Sequence, residues 1–296
     1  MSKLKAKDPK AAEPSKPKIL IFGKPGVGKT WASLDFPNVY YIDTEGGADL
    51  SHYTDKLAQA GGVYLGPDDG ACDFAVVIEQ VKALATEAHR FKTLVIDSIS
   101  KLFNAAVAVE AERLGEKNAY GADKKPALAA MRQLVMWLQR LDMNVVLIAH
   151  EKAEWGLVTN KKGESERVEI GQTFDCWDKL EYELHLALRV VKQGKERKAF
   201  VRKSRLLGFP EGDSLGWSYA EFAQRYGRDV MESSVKAITL ASAEQVAEVR
   251  RLLGAVKVDE DFEAKCLAKA GASSWEELSG EQINKTLAFL KGRIAA

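Results

Sequence analysis

Cysteine is scarce in this chain, and long apolar runs are absent. The three cysteines, Cys72, Cys176 and Cys266, lie far apart and form no CxxC pair, which argues against a disulfide framework or a structural zinc site. No stretch approaches the ~20 apolar residues that a membrane span needs. The first residues, MSKLKAKDPK, lack the apolar core of a secretory signal. We therefore expect a protein of a reducing cytoplasm without a membrane partner.

An excess of charge of one sign is also missing, because 43 Lys+Arg oppose 42 Asp+Glu for a net charge of +1. That total gives no support to nucleic-acid binding, but the distribution of charge along the chain decides more. Residues 1–18 contain six lysines and two acids, and residues 189–205 contain eight basic residues and one acid. Two local basic regions are thus available for DNA or for nucleotide phosphates.

Short apolar runs alternate with helical patterns from Lys18 onward. The runs KILIF, VYYI, TLVID and VVLIA predict buried strands at 18–22, 39–42, 93–97 and 145–149. Apolar residues at helical spacing predict helices over 74–89 and 127–141. This alternation is typical of an α/β fold with a mostly parallel sheet covered on both faces. The segments ELHLALRVV and KAFVRK flank a turn at Gln193-Gly194 and predict a β-hairpin that extends the sheet.

The pattern changes near residue 237. Ser242, Ser273 and Ser279 each precede a Glu or Gln by three positions at the start of a helical pattern. This is the capping-box spacing, in which the serine side chain accepts a hydrogen bond from a free backbone N–H. We therefore predict a flexible basic tail at 1–17, which has almost no large apolar side chains to bury, a core at 18–236, and a small helical domain at 237–296.

One motif predicts a phosphate site. The segment Gly23-Lys24-Pro25-Gly26-Val27-Gly28-Lys29-Thr30 matches GxxxxGK[ST] and directly follows the strand KILIF. In such a loop, the glycines allow successive backbone N–H groups to point at one anion. Lys29 neutralises charge on the β- and γ-phosphates, and the hydroxyl of Thr30 is offered to Mg²⁺. The motif therefore predicts a site for ATP and Mg²⁺.

Acidic residues follow two of the predicted strands. Asp97 ends TLVID at the carboxyl edge of the sheet, where a carboxylate can hold Mg²⁺ through a water, and this makes it the Walker B candidate. Its alternative role is a helix N-cap. Glu45 follows YID and can orient or deprotonate the attacking water, or be a solvated loop residue. Asp43 is the second candidate for the base, with a structural role as its alternative.

A histidine, His150, closes the strand VVLIAH at the same edge of the sheet. A lone histidine is often a structural residue whose hydrogen bonds are satisfied. Beside a nucleotide, it can instead sense the γ-phosphate and pass its state to the loop that follows. Both roles stay open at this point.

Together, these motifs resemble the core of the RecA-like ATPases. The order is GKPGVGKT, a short helix, YIDTEGG, LVIDS and VVLIAH. More narrowly, it is similar to the phage AAA-type group that includes the Sak-type single-strand annealing ATPases, over about residues 17–210. The resemblance implies a RecA-like P-loop core and a catalytic carboxylate at Glu45. It also implies that His150, where RecA carries glutamine, couples nucleotide to DNA.

The resemblance places two DNA-binding loops at 113–126 and 151–171. Both segments are long, polar and contain glycine, as ordinary exposed loops also do. The candidates for phosphate contacts are Lys124, Lys125, Lys161 and Lys162, and the candidates for base stacking are Tyr120 and Trp155. The glutamates of the second loop weigh against such contacts. Single-stranded DNA is the implied partner.

The basic segment 189–205 is, taken alone, typical of a solvated hairpin. In RecA-type filaments, a basic pair of this hairpin lies against the nucleotide of the neighbouring subunit, and Lys203 and Arg205 match that pair. The resemblance therefore implies a homo-oligomer, as a ring or a filament. In it, one of these side chains stabilises charge on the γ-phosphoryl group in trans. No convincing Phe-x-x-Ala polymerisation peptide precedes the core.

The first functional hypothesis is an ATP-dependent protein that binds single-stranded DNA and promotes phage recombination or strand annealing in a bacterial host. The alternatives are a replication helicase or helicase loader, and a nucleotide-switched module that recruits a protein partner through its helical domain. A P-loop kinase for a small metabolite is a further alternative, although no lid arginines or acceptor-site pattern are evident. DNA-stimulated ATP hydrolysis with annealing favours the first hypothesis, and directional unwinding favours the second.

Overall fold

The computed structural model describes residues 14–117, 121–159, 163, 165–256, 258–259 and 261–294 of the 296-residue chain. The chain divides into two compact units. The first contains the residues up to Asp69 together with Phe91–Lys101 and Asp142–Val235. The second contains Gly70–Arg90, Leu102–Leu141 and the residues from Lys236 onward.

The first unit contains a single mixed β-sheet. Its strands are β1 Lys18–Gly23, β2 Val39–Asp43, β3 Val63–Leu65, β4 Thr93–Asp97, β5 Asn144–Thr159, β6 Ser165–Phe174, β7 Leu186–Gln193, β8 Glu196–Ser204 and β9 Ser214–Gly216. The helices of the chain are α1 Lys29–Ser33, α2 Ser51–Gln59, α3 Phe74–Thr86, α4 Ile99–Leu114, α5 Lys124–Arg140, α6 Leu180–Glu183, α7 Tyr219–Tyr226, α8 Arg228–Glu232, α9 Ala243–Ala255, α10 Phe262–Ala270 and α11 Gly280–Ile294. None of these helices, within the described ranges, has the length and apolarity required to cross a membrane.

The strand order is β3-β2-β4-β5-β1-β7-β8-β9, and β6 pairs with the outer part of β5. The strands from β3 to β7 in this order run parallel, whereas β8, β9 and β6 pair antiparallel. Every residue of β1 and β4 is buried, as the continuous apolar runs predict. The predicted α/β class, with its mostly parallel sheet and its hairpin of β7 and β8, is confirmed. Apolar residues of α1, α7 and α8 share one core with this sheet.

The segment 151–171 differs from the sequence prediction. The sequence predicts a loop here, but β5 continues to Thr159 and pairs with β6 from Glu151 to Thr159. Most residues of this strand pair are partly or fully exposed, so it lacks the continuous buried apolar run that marks β1 and β4. Its backbone N–H and C=O groups are satisfied between the two strands instead. We name this strand pair, Glu151–Phe174, the β5–β6 hairpin.

The segment 113–126, the other predicted loop, is partly helical. Helix α4 continues to Leu114, a 3₁₀ turn spans Gly115–Lys117, and α5 begins at Lys124. Lys124 and Lys125 are therefore exposed residues of the first turn of α5. Tyr120 lies outside the described residues.

The last residues of the predicted basic tail contact the first unit. Lys16 is only 3% exposed, and its Nζ donates to the carbonyl oxygens of Ser233 at 2.9 Å and Ser234 at 3.2 Å. Lys18, the first residue of β1, is also buried and donates to the carbonyl of Met143 at 2.7 Å. Burial lowers the pKa of Lys18 to about 7. These two lysines therefore anchor the chain rather than contribute to an exposed basic surface.

The C-terminal helices pack within the second unit. They have their own apolar core, which includes Val249, Trp275 and Ile283. They also contact α3: the N–H of Ile238 donates to the carbonyl of Ala85 at 2.7 Å, and Lys82 pairs with Glu277 at 2.7 Å. These contacts join the C-terminal helices to α3 in one compact unit. The predicted domain boundary at 237 does not coincide with a boundary between α3 and these helices, and it stays a prediction.

Two of the three predicted capping boxes form. At the start of α9, Ser242 and Gln245 exchange both hydrogen bonds, and Ser279 and Gln282 do the same at the start of α11. At Ser273, the backbone N–H instead donates to the Glu277 carboxylate at 2.7 Å. The Ser273 box does not form as predicted, because the side chain four positions later reaches this N–H.

Ser242→Ala should lower the free energy of unfolding by about 1 kcal/mol, because the N-terminal N–H groups of α9 lose their acceptor. Denaturant unfolding of the full chain, followed by helical circular dichroism, measures this loss. Ser273→Ala is the matched control and should change stability by less than ~0.5 kcal/mol. Equal losses for both variants would contradict the assignment of the caps.

Candidate nucleotide-binding and catalytic site

The phosphate loop, Gly23–Thr30, connects β1 to α1. Gly23 passes so close to β7 that a Cβ atom there would lie 2.2 Å from the carbonyl oxygen of Val190. Gly28 has a left-handed backbone with φ of 89°, which a residue with a side chain rarely adopts. Val27 is buried in the core of the first unit, whereas Lys24, Pro25 and Gly26 are exposed. The loop is thus fixed on one side and open to a ligand on the other.

Lys29 folds back over the loop. Its Nζ donates to the carbonyl oxygens of Gly23 at 2.8 Å and Lys24 at 3.1 Å. Burial lowers the pKa of Lys29, and the nearby carboxylates, of which Asp97 has the largest effect, oppose this shift. Since charged acceptors form stronger hydrogen bonds than neutral carbonyls, phosphate oxygens can replace both partners.

Thr30 and Asp97 meet as the motif predicts. The Thr30 hydroxyl donates to Asp97 Oδ2 at 2.5 Å, and Asp97 is only 6% exposed. Burial raises the pKa of Asp97 to about 6, although the hydrogen bond from Thr30 acts in the opposite direction. A hydroxyl and a carboxylate are oxygen donors that suit Mg²⁺, which usually keeps several waters and takes substrate phosphates as further ligands. These two residues therefore fit a bound Mg²⁺.

The N-cap of α4, which is the alternative role considered for Asp97, is provided by Ser98. The backbone N–H of Lys101, in the first turn of α4, donates to Ser98 Oγ at 3.1 Å. The side chain of Asp97 is directed to Thr30 instead. This division leaves the Asp97 carboxylate available for the phosphate loop.

Asp43 has a structural environment. It is fully buried, and its carboxylate accepts the backbone N–H groups of Glu45 and Gly46 at 3.0 Å each and of Ala48 at 2.6 Å. A carboxylate occupied by three N–H groups is poorly placed to take a proton from water. These bonds support the structural alternative for Asp43, and they hold the turn from which Glu45 projects.

Glu45 lies against His150, with Oε1 2.5 Å from Nε2. The same His150 nitrogen lies 3.2 Å from Ser98 Oγ. Burial tends to raise the pKa of Glu45, but hydrogen bonds from Ser98 and His150 outweigh it and lower that pKa. Both side chains remain partly exposed, so a ligand can reach them. The structure thus brings the candidate base and the candidate sensor into direct contact.

Sequence reasoning missed three residues around this site. Ser98 joins Glu45 to His150, and its only sequence signal is its place next to Asp97. Glu151 and Arg189 form a 2.7 Å ion pair in which the Glu151 side chain is almost fully buried. Arg189 pairs with Phe22 of β1, so this ion pair lies beside the strand that leads into the phosphate loop.

Lys203 and Arg205 are not brought to the phosphate loop of their own chain. Lys203 pairs with Ala187 at the start of β7, which lies beside the start of β1 rather than its end. Their side chains donate to backbone carbonyls, Lys203 to Leu184 and Arg205 to Tyr182.

Of the residues predicted to contact DNA on the second loop, Trp155 is described, whereas Lys161 and Lys162 lie outside the described residues. Trp155 is 51% exposed on the outer part of β5. The guanidinium of Arg167, on β6, lies 5.6 Å from the centre of its ring. Arg167 is a further residue that sequence reasoning missed, because its contact depends on the pairing of β5 with β6.

An anion-binding loop whose threonine is bonded to a buried carboxylate is the arrangement of a P-loop ATPase, here on a RecA-like α/β fold. Within that class, the chain belongs to the AAA domain family: residues 15–213 match the family model described as AAA domain, AAA_24. No curated protein matches the chain.

Three solved structures similar to this chain are distant in sequence. The RadB recombinase is 20% identical, with a TM-score of 0.40, over 68% of this chain and 86% of its own. An ATPase from the type III secretion system of pathogenic bacteria is 16% identical, with a TM-score of 0.37, over 95% and 81%. The ATP synthase subunit NeqB from Nanoarcheaum equitans is 12% identical, with a TM-score of 0.39, over 93% and 71%.

Glu45→Gln should keep nucleotide binding but lower the rate of ATP hydrolysis by roughly 10²–10⁴-fold, because an amide cannot accept the proton of the attacking water. Nucleotide affinity by fluorescence titration and phosphate release measure the two effects separately. Lys29→Ala should abolish binding itself.

Glu87→Gln makes the same chemical change at an exposed position in the second unit and should leave both quantities unchanged. Normal hydrolysis by Glu45→Gln would show that Glu45 is not the base.

Proposed function

We propose that this AAA-family ATPase binds single-stranded DNA in a nucleotide-dependent manner and promotes phage recombination or strand annealing. The observation that carries the proposal is the continuity of β5. The same strand contains His150, bonded to the candidate base, and Trp155, exposed on the β5–β6 hairpin.

The contact between Glu45 and His150 supports a link between nucleotide and hairpin. A γ-phosphate and its attacking water would compete for the hydrogen bonds that Glu45 and His150 now share. The backbone of His150 is bonded at the base of the hairpin, since its carbonyl accepts the N–H of Asp175 at 2.8 Å. A change at the His150 side chain is therefore transmitted directly to the start of the β5–β6 hairpin.

The surface of the hairpin suits an unpaired nucleic acid. Trp155 offers a flat ring, and Arg167 lies within cation–π distance of it. Stacking on an aromatic ring requires a base that is not enclosed in a duplex, and nearby arginine attracts the phosphate backbone. Leu157, two positions after Trp155 on β5 and pairing with Arg167, adds an exposed apolar side chain to the same face.

Arg202 supports the geometry of this hairpin from β8. Its Nη2 lies 2.9 Å from both carboxylate oxygens of Glu154, the residue before Trp155, and its Nη1 donates to the carbonyl of Gln172 at 2.9 Å. The register between β7 and β8 shifts at Arg202, because Val201 and Lys203 pair with consecutive residues of β7. Such a bulge redirects a side chain, here toward the hairpin.

Single-stranded DNA should stimulate ATP hydrolysis, and Trp155→Ala should weaken its binding by roughly tenfold, given ~1–3 kcal/mol for a stacked base. Fluorescence anisotropy of a labelled oligothymidylate, with a non-hydrolysable ATP analogue present, measures the binding.

Tyr64→Ala is the matched control, because Tyr64 is an aromatic residue of similar exposure, 49%, on β3. Equal weakening by both variants would remove the role of Trp155. Absence of stimulation by any nucleic acid would refute the proposal, and directional unwinding without annealing would favour a helicase.

We further propose that Lys203 and Arg205 act on the nucleotide of a neighbouring subunit. Each now binds a backbone carbonyl, and burial lowers the pKa of Lys203, with the charge of Arg205 acting in the same direction. A phosphate is a stronger partner than these neutral carbonyls. Their distance from their own phosphate loop supports a role in trans, which requires a homo-oligomer.

Subunits with Lys203→Ala and Arg205→Ala, mixed with Lys29→Ala subunits, should recover part of the ATPase activity that each variant lacks alone. Recovery requires an interface with an intact loop on one side and an intact basic pair on the other. Phosphate release across mixing ratios measures it. A strictly additive, inactive mixture would contradict sharing of the site, and size-exclusion chromatography establishes that the variants still assemble.

A further inference from the structure

Arg197, near the start of β8, lies against the phosphate loop of its own chain. A Cβ atom built on Gly28 would be 2.2 Å from Arg197 Nε and 2.6 Å from its Cδ. The side chain of Arg197 therefore occupies the space directly beside the residue that precedes Lys29. The three atoms nearest to that position all belong to the Arg197 side chain, and the third is Cζ of the guanidinium at 3.3 Å.

The alternation of β8 explains this position. Ala199 and Val201 are buried in the core that β8 shares with α1 and with Val27 of the loop. Because side chains two positions apart point to the same face of a strand, Arg197 belongs to this face, one step beyond the end of the core. Its backbone is held by pairing with Lys192 and by its carbonyl, which accepts the N–H of Trp217 at 2.8 Å.

The Arg197 guanidinium has no anionic partner in the described part of the chain. Its side chain is exposed and forms no ion pair or hydrogen bond with the described part of the chain. Other arginines of the same hairpin are committed, since Arg189 pairs with Glu151 and Arg202 with Glu154. A cation held against a phosphate-binding loop without an anionic partner is suited to a ligand's anion.

We propose that Arg197 is a nucleotide-binding residue that acts in cis, with its guanidinium on the α- and β-phosphates. The backbone of a phosphate loop holds the α- and β-phosphates, and its lysine reaches the β- and γ-phosphates. Arg197 lies beside the backbone at Gly28, so its position corresponds to the first of these two regions. The inference rests on the nucleotide site of the proposed function and adds a second positive group, distinct in place from Lys203 and Arg205.

Arg197→Ala should weaken the binding of ATP and of ADP by a similar factor, roughly tenfold or more, because both ligands carry the α- and β-phosphates. Arg197→Lys should restore only part of the affinity, since an ammonium lacks the planar fork of a guanidinium. Isothermal titration of the full chain with each nucleotide measures these changes.

Lys195→Ala removes an exposed charge from the turn of the same hairpin and should leave both affinities unchanged. Thermal unfolding of Arg197→Ala should match that of the unmodified chain, because an exposed side chain is removed. Unchanged affinity in Arg197→Ala, or a loss for ATP alone, would overturn the proposal. Lys29→Ala in the same titration separates this outcome from a failure of the nucleotide site itself.

Discussion

Parallel hydrogen bonding between β2, β4, β5 and β1 is the constraint on which the site depends. It aligns Asp43 with Asp97, Asp97 with Ile148, and Gly23 with His150. The carboxyl ends of β1, β2 and β4 thus lie in one row with the middle of β5, although these residues are far apart in the chain. The phosphate loop, the Walker B candidate Asp97, the candidate base and the histidine meet because this row exists.

Two neighbouring aspartates are both buried but have different hydrogen-bond donors. Asp43 is saturated by backbone N–H groups and holds a turn, whereas Asp97 has a raised pKa and one short bond to Thr30. A carboxylate with few internal donors in a buried place gains most from a cation. The same residue type therefore supports the backbone in one strand and faces the phosphate loop in the next.

The basic segment 189–205 shows that a basic side chain is not always available to a ligand. Arg189 and Arg202 are held by glutamates, and Lys203 and Arg205 by backbone carbonyls. Arg197 lies beside the phosphate loop, and its guanidinium has no ion pair or hydrogen bond with the residues that the structure describes. A net charge of +1 thus conceals basic side chains in different surroundings: four with partners within the chain, and Arg197 beside the phosphate loop.

The sequence alone determined the phosphate loop, the buried strands and the hairpin of β7 and β8, because each has a pattern formed by residues that are adjacent in the chain. It did not reveal the β5–β6 hairpin, whose paired residues are mostly exposed and lack the continuous apolar runs of β1 and β4. Nor could it choose between the alternatives for Asp43 and Asp97, or find Ser98 between Glu45 and His150. Only the tertiary structure shows the partners of these side chains. The bonds that join Asp97 to Thr30 and His150 to Ser98 and Glu45 connect residues far apart in the chain, which the register of the sheet brings within reach.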